Sequence, residues 1–171
     1  MAWQVPRGLE PDWFAIKVLC EVLGLNGATR LQNSLVKTAS VASSATVGLE
    51  ESAGPNLMMV QVLLAPGKDP AQAERMVYEE IDRVVREGVS REEIERAETD
   101  SLRRRAFNLV TTTSRAQVFT AFLAIYGQME AVNDWERQVR RIGSDDLKRV
   151  ARKYLTPAKR TVLIVNPGGK P

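Results

Sequence analysis

The residues with the clearest chemical potential in this chain are five neighbouring acids: Glu92, Glu93, Glu95, Glu98 and Asp100. Paired carboxylates can divide acid and base work, or hold a hard cation. Glu92 and Glu93, however, fall in the first turn of a helix, where negative charge complements the positive end of the macrodipole. Their neighbours one turn on include Arg96 and Arg103 to Arg105, so the expectation is a solvated face paired within itself. Arg103, Arg104, Arg105, Arg137, Arg140 and Arg141 could build a phosphate-binding patch. Consecutive helical residues point in different directions, though, and the aromatic residues lie mostly in apolar stripes rather than beside the arginines. No nucleic-acid partner is expected.

Nucleophiles fare no better. Ser40, Ser43 and Ser44 have no histidine to activate them, because the chain contains none. Lys37 or Lys68 could serve a serine as base, but no spacing selects either. The missing histidine also removes the usual proton shuttle and the commonest metal ligand, and a zinc site built on Cys and His is out of reach. No Asp-rich loop of the calcium-binding type occurs. Gly24-Leu25-Asn26-Gly27 follows a helix instead of a strand and lacks the Gly-Lys-Ser/Thr of a phosphate loop. Cys20, the only cysteine, lies in an apolar helix and is expected to be a small buried filler. The sequence therefore predicts no catalytic residue and no metal ligand in this chain.

The elements that would position these residues are legible from periodicity. The hinge of the chain is residues 23–38. There Gly24 and Gly27 bracket Asn26, giving a corner that tolerates positive φ, and Thr29 can cap a short helix carrying Leu31 and Leu35. Before the corner, Trp3 to Pro6 reads as a strand. A helix opening at Glu10-Pro11-Asp12, whose acids suit its positive end, then packs Ala15, Val18, Leu19, Val22 and Leu23 on a core and ends at Gly24. After it, residues 40–49 and 57–64 predict an antiparallel hairpin around Gly54-Pro55. Residues 70–87 form an amphipathic helix stopped by Gly88, and Ser90 with Glu93 makes a capping box for the next. Thr111 to Ser114 weakens or breaks that helix; stripes at residues 116–126, 133–141 and 147–154 follow. Residues 161–165 predict a last strand before Pro167-Gly168-Gly169. Clustered strands and clustered helices favour an α+β sandwich, a mainly antiparallel sheet with helices over one face.

The 171 residues suit one domain with a sizeable core, 24 basic and 21 acidic residues leave a charge of only +3, and no apolar run is long enough to span a bilayer. Met1 to Val5 reads as a strand already in progress, without the basic start and apolar centre of a signal peptide. The expectation is a single domain, residues 1–171, excised from a longer polypeptide.

Several stretches, taken in order, resemble the pitrilysin/insulinase-like zinc metallopeptidases, which include mitochondrial processing peptidases and bacterial paired zinc proteases. They are Pro11-Asp12-Trp13 leading to Val18-Leu19-Cys20-Glu21-Val22-Leu23-Gly24; Thr29-Arg30-Leu31 with Leu35-Val36-Lys37; Gly88 to Ala97; and Ser144-Asp145-Asp146-Leu147 through Tyr154-Leu155. The resemblance covers nearly the whole chain. It implies a half-domain facing a homologous half like a clamshell, with zinc held in the other half by an inverted His-x-x-Glu-His motif. This chain would be the metal-free half, completing the chamber and holding a peptide substrate, with a purely structural or interaction subunit of the same fold as the alternative. In relatives an arginine and a tyrosine after the Arg-Leu pair help position substrate. Here Val36 stands at the arginine position and residues 41–44 offer no tyrosine. The resemblance further suggests a bacterial periplasm or cell envelope.

Overall fold

The computed structural model describes residues 1–25, 27 and 29–166; the expectations placed on Asn26 and on Pro167-Gly168-Gly169 lie outside them. Among the described residues, four strands form one antiparallel sheet in the order β2-β3-β1-β4. They are β1 (Ala2–Val5), β2 (Ala42–Glu50), β3 (Asn56–Leu64) and β4 (Arg160–Thr161). The hairpin is as expected: β2 and β3 pair from Ala42↔Leu64 to Glu50↔Leu57, with an irregularity between Ala42 and Ser44. Alternation along the strands sends Trp3, Val5, Ala45, Val47, Met58 and Val60 into the core. Gln4, Thr46, Leu57, Gln61 and Leu63 point the other way and are exposed, so helices cover one face and leave the second open.

The described residues form six α-helices, α1 (Trp13–Cys20), α2 (Pro70–Glu87), α3 (Arg91–Phe107), α4 (Thr112–Ala121), α5 (Trp135–Val139) and α6 (Ser144–Tyr154), of which α1, α2 and α6 pack on the strands. Helix α1 departs from the single-face expectation. Every residue in it except Lys17 is buried, because it packs against β2, α3, α5 and α6 together. Its last turn widens into a π-type turn, Glu21–Leu25. Gly24 does not terminate the helix through a left-handed φ; that conformation falls to Gly27, at φ 61°. Gly24 is instead a point of approach, since a Cβ there would lie 2.6 Å from Val47 Cγ2. A second π-type stretch, Gln32–Thr38, buries Leu35 and also rests on β2.

Helix α3 does break before Thr111, and Thr111 also starts the next one: its hydroxyl accepts from Ser114 N at 3.1 Å, and Ser114 Oγ accepts from Thr111 N at 3.2 Å, which caps α4. One further expectation changes. The last strand is shorter than residues 161–165. β4 holds Arg160 and Thr161 alone, paired with Trp3 and Ala2, because β1 offers Val162 to Val165 no partner beyond that point.

Candidate functional site

The corner at residues 23–38 gathers the polar groups that the sequence singles out. Arg30 reaches across to the start of α3, donating from Nε and Nη2 to the Glu93 carboxylate at 2.7 and 2.8 Å. It also donates to the Gly88 carbonyl at 3.0 Å. Glu93 meanwhile accepts from Ser90 N at 3.0 Å, and Ser90 Oγ accepts from Glu93 N at 3.2 Å, which completes the expected capping box. One carboxylate thus caps a helix and pins the corner to it. The Arg30 hydrogen bonds, aided by Ser90, hold its carboxyl at about 2, against the pull of burial.

Beside this pair, Glu21 on the π-type turn is buried and bonded to Arg104 of α3. Glu21, Thr29, Arg30, Glu93, Arg96 and Asp100 line a cleft of about 100 Å³. Its lining carries charges of both signs, and the Arg30–Glu93 and Arg104–Glu21 pairs fasten α3 to the corner.

Three of the remaining acids of α3 pair along the helix, and the fourth, Glu98, is half-buried. Arg91 bonds Glu95 at 2.6 Å, Arg96 lies 3.8 Å from Glu92, and Arg103 bonds Asp100 at 2.9 Å. The three consecutive arginines diverge as helical geometry requires. Arg103 stays with its own helix, Arg104 goes to Glu21, and Arg105 lies 4.8 Å from the Phe122 ring and 4.9 Å from that of Trp135. Arg137 and Arg140 pair with Asp134 and Glu136 at 2.7 and 2.9 Å. Of the six arginines named, Arg103, Arg104, Arg137 and Arg140 are thus engaged with acids and Arg105 with aromatic rings, while Arg141 is exposed.

A second polar centre was not foreseen in the sequence, where Asp12 reads as a first-turn acid. It makes no cap. Its buried carboxylate accepts from Arg149, from Lys153 at 2.8 Å and from Tyr154 Oη at 2.8 Å, tying the start of α1 to α6. Burial opposes charge on Asp12, but these donors outweigh it and hold the carboxyl at about 2. The only foretaste is the co-occurrence of Pro11-Asp12-Trp13 and Arg149 to Tyr154, some 140 residues apart.

Val36 lies on the corner helix. Val36 is half-buried and packs on the core. Lys37, Lys68, Ser40 and Ser43 are exposed, and Ser44 is half-buried; Ser43 Oγ donates to the Leu63 carbonyl at 3.1 Å. Among the described residues no lysine donates to a serine hydroxyl. Cys20 is buried, and that burial pushes its thiol up to about 12, so it is a filler and not a nucleophile. No group of three or more Cys, Asp or Glu among the described residues could hold a metal ion. The side chains present do not suit zinc.

Residues 1–100 match the family described as the peptidase M16 inactive domain. Among curated proteins, the zinc protease PqqE of Helicobacter pylori is 26% identical over 175 residues, covering 98% of this chain and 37% of that protein. The chain thus spans little more than a third of that relative's length. Among solved structures, the inactive peptidase domain of a putative zinc protease from Bordetella parapertussis superposes with a TM-score of 0.85 at 23% identity, covering 94% of this chain and 86% of the other. Complex III2 of Candida albicans includes a chain with the same fold, at a TM-score of 0.75 and 12% identity, over 90% of this chain and 38% of that one.

Proposed function

Because this chain belongs to the peptidase M16 inactive-domain family, we propose that it works as the metal-free half of a zinc metallopeptidase, closing a substrate chamber against a homologous half that carries the zinc. The observation that carries the proposal is a family match over more than half the chain in a sequence with no histidine. The polar centres fit the reading, since each is consumed in holding helices together. Arg30, Glu93, Asp12 and Arg149 make a rigid half-shell; none is left with the acid–base freedom that peptide hydrolysis needs.

In this reading the chain is one part of a longer polypeptide or of a two-subunit enzyme, and zinc belongs to the other half. A peptide would be held against that half by the surface this chain contributes, with no Arg–Tyr pair of its own, given Val36. The test is reconstitution. The chain alone is expected to cleave no unstructured peptide with or without zinc; the zinc-bearing half alone should be weak; mixing the two should restore zinc-dependent cleavage. Zinc-dependent cleavage by the chain alone would overturn the proposal.

The second reading, a structural subunit of the same fold, is favoured by Val36 at the arginine position and by the fold shared with a chain of Complex III2. It predicts a stable complex without cleavage in the same mixture. A His-x-x-Glu-His segment in the same reading frame, or in a neighbouring one, separates the two.

A further inference from the structure

Where α3 gives way to α4, two large apolar side chains stand out from the body of the protein. Phe107 is 70% exposed and Val110 66%. The backbone N–H of Val110 donates to the Phe107 carbonyl at 3.2 Å, so the two belong to one tight turn. Every other aromatic residue is buried or half-buried. The turn projects on its own: the backbone N–H groups of residues 108–110 bond only back to Arg104, Ala106 and Phe107, and α4, which follows, buries none of its residues.

The charge around this turn is of one sign. Arg103 lies one helical turn before Phe107, on the same face of α3. Arg115 donates from Nε to the Leu109 carbonyl inside the turn, and both arginine side chains are exposed. Residues 101–129 include four arginines and no aspartate or glutamate. Asp100, just before them, accepts from Arg103 at 2.9 Å and leaves that side chain 64% exposed. An apolar prominence flanked by arginine complements a surface that is apolar within and negatively charged outside. A second copy of this chain would set like charge against like. A folded protein would need a concave apolar pocket with an acidic border, whereas a bilayer moulds itself to a projecting side chain.

We propose that the α3–α4 corner is an anchor for anionic lipid surfaces. Phe107 and Val110 enter the boundary between headgroups and acyl chains, while Arg103 and Arg115 meet lipid phosphates. The chain lies on the bilayer and does not cross it; among the described residues no helix is long and apolar enough to do so. Two apolar side chains and two arginines make a small anchor, so binding is reversible and weakens with salt.

The test is co-sedimentation of the chain with vesicles made of equal parts phosphatidylglycerol and phosphatidylcholine, or of phosphatidylcholine alone. At low salt the anionic vesicles are expected to bind at least about tenfold more strongly than the neutral ones, and ~0.5 M NaCl should remove most of that binding. Phe107→Ser with Val110→Ser should weaken anionic-vesicle binding about tenfold, and Arg103→Gln with Arg115→Gln by a similar factor. All four positions are exposed, so both double variants should keep the melting temperature within about 1 °C. The chain's one cysteine, Cys20, is buried, which allows a polarity-sensitive dye to be placed at Asn108→Cys alone. Its emission should shift to the blue on anionic vesicles, and the same dye at Glu79→Cys, exposed on α2, should stay unchanged. Failure to bind anionic vesicles, equal binding to neutral ones, full binding by Phe107→Ser with Val110→Ser, or a silent dye at Asn108→Cys would each overturn the proposal. So would a concentration-dependent dimer in sedimentation velocity that the same apolar pair abolishes, since the corner would then join two copies. Reconstitution of peptidase activity is a separate measurement, so the anchor and the functional reading stand or fall independently.

Discussion

At the scale of single residues, Gly24 and the two low-pKa carboxylates have the most to say. An alanine at Gly24 would put a methyl within 2.6 Å of Val47 Cγ2 and 3.0 Å of Val47 N. The side chain can turn but the strand backbone must give. Gly24→Ala is therefore expected to cost about 1–3 kcal/mol, read as a lower midpoint in urea unfolding, although alanine is the better helix former. Asp12 and Glu93 both sit at about 2 when folded, below their ordinary values of 3.8 and 4.5. Their contribution to stability is fully present above those ordinary values and is lost as pH falls from about 4 through 2. A melting series should be flat between pH 7 and 5 and fall below pH 4. Asp12→Asn and Glu93→Gln should each lower the neutral-pH melting temperature and flatten the acid limb. An acid limb unchanged in both variants would mean that neither carboxylate sets it.

At the scale of elements, local signals were legible where the cause lies within one turn of the chain. The Ser90–Glu93 box is a four-residue matter, and it stands as expected. Ser90→Ala should remove about 1 kcal/mol and speed exchange at the first amides of α3, while Thr111→Ala should do the same for α4. The hairpin was legible too, because period-two patterning around Gly54-Pro55 fixes both strands and their partner. What escaped depends on distant parts. Asp12 looks like a dipole acid until α6 arrives with Arg149, Lys153 and Tyr154. The corner glycine Gly24 resembles a helix stop until Val47 of β2 is laid against it. The apolar run 161–165 has strand composition, but a ladder needs a neighbour, and only Arg160 and Thr161 have one. Helix α1 reads as one-faced because the stripe at Ala15, Val18, Leu19 and Val22 is strong; Trp13, Phe14 and Ile16 are buried by other helices that the stripe does not encode.

At the scale of the whole molecule, the covered and open faces of the sheet divide the labour. The covered face holds the core together; on the other, Leu57, Gln61 and Leu63 are exposed. The absence of histidine was the feature that sequence alone could use furthest, and the reconstitution mixture is its direct check. The aromatic residues add a practical consequence. All three tryptophans are buried, but they report on separate regions. Trp13 and Trp135 meet edge to face, 5.6 Å between centroids, at the junction of α1 and α5, with Lys17 over both rings. Trp3 stands apart in β1, its indole donating to the Thr156 carbonyl at 3.1 Å and its ring 6.2 Å from Tyr78. The protein thus carries two built-in optical gauges. With Trp13 and Trp135 replaced by phenylalanine, emission would follow the packing of the central strand β1 against α2; with Trp3→Phe alone, it would follow the docking of α5, so the order in which the two regions loosen could be timed without any added dye.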